Sequence, residues 1–258
     1  MRLYGIFRVL SAFLLMSVLT ISTPCIAQIS SETIDPAATE QWDPIPPEVK
    51  AQPVLTPPPS DAIVLFDGTN LNEWTKRDTD EPIGWQLDPQ AGTMTVEKGM
   101  GDIKTKREFG DIQLHLEFRT PAVVESEGQG RGNSGVFLQG RYEVQVLDSY
   151  FNRTYSNGQA GAIYKQHAPL VNASRPPGDW QSYDVIYTAP RFNASGRRII
   201  PARITVLHNG VLIQNNVEVY GTTEYRGLPR NIAHGPDGII LQDHGNPVSY
   251  RNIWVREL

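Results

Sequence analysis

Arg141, Glu143 and Gln145 alternate along the chain with Tyr142, Val144 and Val146. In an extended strand successive side chains point to opposite faces. One face of this run is therefore apolar, while the other carries a cation, a carboxylate and an amide. Such a row is too polar for ordinary core and more varied than a wetted surface requires. It reads as the floor of a groove for a ligand rich in hydroxyls, with a plain solvated face as the alternative. Asp148 lies just past the run and can turn toward the same mouth. A second run, 238–245 (GIILQDHG), repeats the theme: Ile240, Gln242 and His244 share a face if the strand persists. His244 would stand at a strand end, where functional groups gather, and histidine takes and returns a proton near neutral pH.

Other chemistry-bearing residues are scattered. Lys165, in AIYKQH (162–167), is a candidate for holding negative charge on oxygen. Arg131 and Asn133 sit in a glycine-rich stretch, GQGRGNSG (128–135), that superficially resembles a phosphate loop. Phosphate loops open a helix; here the glycines lead into Val136-Phe137-Leu138, so a flexible loop at a groove edge that presents Arg131 and Asn133 fits better. Trp180 and Tyr183 are large enough that one should be core, and Trp180 is left as core or as a platform for a sugar ring. His208 is expected to be exposed in a turn. His115, His167 and His234 show no spacing that suggests a shared metal, and no HExxH run is present. Oxygen-ligated calcium would leave no clear mark, so a divalent cation is neither required nor excluded.

The elements that would position these groups are short and extended. Apolar, β-prone runs at 63–66, 93–96, 112–119, 136–138, 142–147, 182–188, 203–207, 211–217, 238–242 and 250–256 are separated by Gly, Asn, Asp and Pro. Asn209-Gly210 between two of them is a strong hairpin signal. No stretch has the periodicity of a three-turn amphipathic helix. The pattern predicts an all-β fold, an antiparallel sandwich of two sheets with few or no helices, in one domain over 61–258.

The amino-terminal part differs in texture. Residues 1–27 carry Arg2 and Arg8, a mostly apolar run at 9–21, then Pro24 and the small-residue end Cys25-Ile26-Ala27, the layout of a secretory signal. The run is shorter than the ~20 residues that span a bilayer, so the expectation is export to a periplasmic or extracellular space with no integral span in the mature chain. Lipid anchoring at Cys25 is disfavoured by the adjacent proline. Cys25 is the single cysteine, so a chain cut after Ala27 has no disulfide, cysteine zinc site or thiol nucleophile. Residues 28–60 hold 8 of the 20 prolines and read as a disordered, extended linker. The net charge of −5 argues against nucleic acid as a partner.

Taken in order, Val64-Leu65-Phe66-Asp67-Gly68-Thr69-Asn70-Leu71 with Trp74, Gly132-Asn133-Ser134-Gly135-Val136-Phe137, Tyr142 to Gln145, Asp148, the 180–190 segment, Leu241 to Pro247 and Arg251-Asn252-Ile253-Trp254 resemble the 3-keto-disaccharide hydrolase domain family. The resemblance covers about 62–258. It implies a concanavalin A-like jelly roll and cleavage of 3-keto-glycosides. A C3 ketone acidifies the C2 proton, so a base, an oxyanion stabiliser and an acid suffice for elimination followed by hydration. This differs from the two-carboxylate route through an oxocarbenium ion. On this reading His244 or Glu143 is the base. Arg141, Lys165 or a bound cation holds the enediolate, Asp148 is acid or metal ligand, and Gln145, Gln242 and Asn133 orient hydroxyls. A non-catalytic sugar-binding domain and an envelope scaffold remain the alternatives, since one fold hosts many functions. The aglycone, anomer and oligomeric state have no signal in the sequence.

Overall fold

The structure is a computed structural model that describes residues 34–48, 57–79 and 81–258. The proposed signal at 1–27 lies outside the described residues. The strands are β1 (Ile63–Phe66), β2 (Trp74–Lys76), β3 (Gln86–Asp88), β4 (Thr93–Thr95), β5 (Ile103–Thr105), β6 (Ile112–Arg119), β7 (Ser134–Leu138) and β8 (Tyr142–Val146). They continue with β9 (Gln181–Thr188), β10 (Arg191–Phe192), β11 (Arg198–Ile200), β12 (Arg203–His208), β13 (Val211–Glu218), β14 (Ile240–Leu241) and β15 (Ser249–Glu257). Among the described residues there is no α-helix.

All strand pairs are antiparallel. The larger sheet runs β13-β12-β9-β6-β15-β4-β3, with β1 also paired to β15; the smaller runs β2-β5-β14-β7-β8. Alternation dictates the packing. Leu114, Leu116 and Phe118 of β6 and Tyr183, Val185 and Tyr187 of β9 meet Val136, Leu138, Val144 and Val146 of the smaller sheet in one core. Each such side chain contributes about 1.5–3 kcal/mol on burial. Their neighbours, Glu117 on β6 and Glu143 on β8, necessarily point out of the sandwich, one on each outer face. The expected two-sheet β-sandwich is the architecture found.

Most expected strands are present within a residue or two. The short strands β2, β3, β5, β10 and β11 are absent from the sequence pattern, because two or three residues carry too little alternation to read. His208 is a correction: it is 1% exposed, its Nε2 lies 2.8 Å from Gln181 Oε1, and burial lowers its pKa to about 3. The reason is the turn itself. Asn209 (φ 53°) and Gly210 (φ 78°) form the expected hairpin, but the Asn209 side chain accepts from the Ser182 N–H and donates to the Ala173 carbonyl, folding the turn back onto β9.

Of the proline-rich segment 28–60, residues 28–33 and 49–56 lie outside the described residues, and the part over 34–48 differs from the expectation. Residues 34–48 do not project as a disordered, extended tether. They form a 3-10 turn at Pro36–Thr39, place Pro46 in a buried position and pair Glu48 with Asn172. The Gln41 N–H donates to Asn157 Oδ1 (3.0 Å), Asn157 Nδ2 donates to the Thr39 carbonyl (3.0 Å), and Ser156 Oγ donates to the Pro44 carbonyl (2.8 Å). This strap lies on the domain beside the outer face of β8.

Candidate functional site

On β7 and β8, Val136 and Val144 face the core, so Phe137, Glu143 and Gln145 face outward. They line a cavity of about 510 Å³ together with Asn133, Gln242 and His244. The four side chains that the sequence nominated on two separate runs thus converge: Glu143 and Gln145 from β8, Gln242 and His244 from the segment after β14. The pairing explains it. β14 lies against β7, which lies against β8, and the Gln242 N–H donates to the Gly135 carbonyl, extending the register past β14.

Glu143 is the chemically distinctive group. It is 4% exposed, and burial, with a smaller contribution from the like charge of Asp102, pushes its pKa up to about 8. It has room because residue 135 on β7, paired with Gln145 and diagonal to Glu143, is glycine; a Cβ there would stand 2.5 Å from Glu143 Oε1. The Gln145 amide end facing Glu143 lies 3.1 Å from Oε1 and 3.0 Å from the Ser134 carbonyl, and its other end is 3.0 Å from Gln129 Oε1. With its nitrogen on that side the amide donates to both the Ser134 carbonyl and Glu143 Oε1, whereas an oxygen there would face a carbonyl oxygen that has no proton to give.

The remaining wall is polar and aromatic. Tyr155 and Tyr164 share a hydroxyl–hydroxyl hydrogen bond of 2.7 Å, so one of the two protons stays available to a ligand. Thr223 Oγ1 accepts from the Glu143 N–H at 3.0 Å. Asn133 Nδ2 donates to the Gln129 carbonyl, and the Asn133 N–H to Asn246 Oδ1. The Gln242 Oε1 atom is buried and has no hydrogen-bond partner among the described residues. An orphaned acceptor on a cavity wall is costly unless something fills the cavity and donates to it. His244 is exposed at the rim. Sequence reasoning missed Gln129, Phe137, Tyr155, Tyr164, Thr223 and Tyr225, and Glu40 of the strap. Phe137 was recoverable from alternation with Val136; the others come from loops whose path has no local signature.

Other nominated residues do different work. Arg141 shares the strand face of Glu143, yet its guanidinium donates to Asp237 Oδ2 and the Gln139 carbonyl, both at 2.6 Å, and it does not line the cavity. It contributes through its backbone, accepting from the Thr223 N–H. Arg131 and Asp148 are paired with each other at 2.6 Å in a separate cleft of about 180 Å³. Asp148 is raised by burial against the opposing pull of Arg131. Lys165 is 9% exposed and donates to the carbonyls of Pro36 (2.6 Å) and Tyr225 (3.0 Å), so its ammonium is engaged by backbone. Trp180 packs against Arg119 and Arg251, at 4.7 and 4.1 Å from its ring centroid, on the outer side of the larger sheet. No group of three His, Cys, Asp or Glu side chains that could hold a metal ion occurs among the described residues, and no helix there is long and apolar enough to cross a membrane.

Comparison with known proteins bears on the fold and the family. A Parabacteroides distasonis protein whose crystal structure carries the name "putative glycosyl hydrolase" is 49% identical, covering 86% of this chain and 95% of its own, with a TM-score of 0.76. Two further structures of the same description and organism, at 19% and 22% identity and TM-scores of 0.56 and 0.52, cover 77% and 76% of this chain and 94% and 99% of theirs, and share the fold. No curated protein matches the chain. The domain is carbohydrate-active by kinship. Residues 61–256 match the 3-keto-alpha-glucoside-1,2-lyase-like domain, and the chain belongs to that family.

Proposed function

We propose that the domain cleaves 3-keto-glycosides, with Glu143 as the group that moves the C2 proton. The observation that carries this reading is a carboxyl buried in a sugar-sized cavity with its pKa pushed up to about 8. A carboxylate of that basicity is a far better base than an exposed glutamate, and its conjugate acid still releases a proton near neutral pH. Glu143 takes the C2 proton, and the electron pair forms the enediolate with the C3 carbonyl. The C1–oxygen bond then breaks, the leaving alkoxide takes a proton, and a C1–C2 double bond remains. Addition of water across it completes a net hydrolysis. The Gln145 amide donates to Glu143 and orients its carboxyl. The free proton of the Tyr155–Tyr164 pair and the Gln242 amide donate to developing oxyanion and hydroxyls. His244, at the rim, is placed to protonate a leaving group directed toward solvent. The Gln242 oxygen takes a hydroxyl donor.

The test is aglycone release from 4-nitrophenyl 3-keto-glucoside. Wild type is expected to release nitrophenolate, and Glu143→Gln to lose about 10²–10⁴-fold in kcat/KM. Release at the wild-type rate by that variant overturns the assignment. The amides and tyrosines around the cavity also favour a second reading, a sugar-binding domain without turnover; binding with no release from any 3-keto-glycoside selects it. We further propose that the amino-terminal 27 residues direct export, which fractionation of the full-length protein checks.

A further inference from the structure

We propose that the strap over residues 35–48 is a built wall of the sugar cavity, latched by Lys165, and that Glu40 on it makes the cavity select neutral glycosides over uronosides. The substrate half of this inference rests on the reading of the cavity as a sugar site.

The strap satisfies groups that the domain cannot satisfy alone. Asn157 is fully buried and Ser156 is 1% exposed, and both spend side-chain hydrogen bonds on strap carbonyls. The Asn172 N–H donates to the Pro47 carbonyl at 2.7 Å. Lys165 sits at φ 57° and sends its ammonium to Pro36, with the rings of Tyr155, Tyr164 and Tyr225 around it. Removing the strap would leave these buried donors without partners and strip the Lys165 ammonium of one of its two carbonyls. A tether with no role in the domain would not be met by so many prepared partners.

Lys165 also holds the Tyr225 carbonyl, so one ammonium fixes two segments that each place a side chain on the cavity: Glu40 from the strap and Tyr225 from the loop after β13. Glu40 is itself held. Its backbone N–H donates to the Ala37 carbonyl, and its Oε2 accepts from the Trp42 indole at 3.2 Å. Apart from tyrosines, the ionisable side chains on the cavity wall among the described residues are Glu40, Glu143 and His244, with no Lys or Arg. Below about pH 8 Glu143 is a neutral carboxyl, so the Glu40 carboxylate is the group that accepts from sugar hydroxyls and repels a C6 carboxylate.

Equilibrium binding to the full mature chain tests this, with methyl 3-keto-glucoside and the matching methyl 3-keto-glucuronide as probes and turnover recorded in parallel. Wild type is expected to prefer the neutral sugar by at least about tenfold, and Glu40→Gln to erode that preference by about tenfold, mainly through tighter uronoside binding. An unchanged ratio, or no binding of either sugar, overturns the proposal. Retained turnover with an unchanged ratio sinks Glu40 while sparing the proposed reaction. Absent turnover with Glu40-dependent selective binding does the reverse. The latch is read separately by hydrogen exchange. Lys165→Met is expected to raise exchange over 35–48 and around Tyr225, with β6 and β9 still protected; unchanged protection of the strap overturns the latch.

Discussion

Glu117 and Glu143 occupy equivalent positions on the two outer faces of the sandwich, and both are nearly inaccessible, at 2% and 4% exposure. Their surroundings are opposite. Glu117 accepts from Arg251 at 2.6 Å and from Asn252 at 2.9 Å, and His115, held by Asp184 at 2.7 Å, lies beside it. Desolvation pushes Glu117 up, but these partners outweigh it and its pKa falls, while His115 is raised by the two carboxylates against its own burial. Among the described residues no cation is paired with Glu143: Arg141, on the same strand face, is taken by Asp237, and Lys165 by two carbonyls. Burial therefore wins, and the carboxyl is pushed up to about 8. Where every charge is matched the sheet face is structural; where one is left unmatched beside a cavity, the fold gives up stability to hold a reactive group.

The largest expected effect is on activity. Glu143→Gln should lower kcat/KM on a 3-keto-glucoside by about a thousandfold, whereas Glu117→Gln should leave it within about threefold. Steady-state kinetics of both variants breaks the comparison if Glu117 matters as much as Glu143.

The next effect is on stability, with opposite signs. Glu117→Ala strips the anion from partly buried Arg251 and fully buried His115 and should cost about 3 kcal/mol at pH 7. Glu143 has a folded pKa above its unfolded value, so the native state binds the extra proton between about pH 4.5 and 8. Its stabilising protonation is complete below 4.5 and is lost as the pH rises through about 8, at up to ~1.4 kcal/mol per unit. Glu143→Gln should remove that slope and raise the melting temperature at pH 8.5. Denaturation as a function of pH reads both.

Gly135→Ala sharpens the same contrast. The added methyl meets Glu143 Oε1 at 2.5 Å and must displace it, so kcat should fall about tenfold or more with a stability cost of about 1–3 kcal/mol. The smallest effect is expected at Trp180. It sits with Arg119 and Arg251 on the matched face, so Trp180→Ala should leave sugar binding within about twofold; a tenfold loss would place sugar on that face instead.

Alternation made much of this legible. Leu114-His115-Leu116-Glu117-Phe118 and Tyr142-Glu143-Val144-Gln145-Val146 state which side chains pack and which point out, and the observed faces follow. The convergence of Gln242 and His244 on β8 needed the pairing of β14 with β7, which local pattern does not encode. What alternation could not tell is which outward groups find partners. Arg141 and Glu143 share a face, but Asp237, 96 residues on, claims the arginine. The strap was hidden for a related reason: its prolines read as extended chain, while the buried Asn157 and Lys165 that hold it lie over a hundred residues away.

The most direct test is exchange of the C2 proton of methyl 3-keto-glucoside in deuterium oxide, followed by proton NMR from pH 6 to 9.5. The expected result is enzyme-catalysed loss of the C2 signal whose rate rises with pH and levels off above about 8, where Glu143 is ionised, and which Glu143→Gln abolishes. Exchange that Glu143→Gln leaves intact, or a rate flat across that range, would contradict the account.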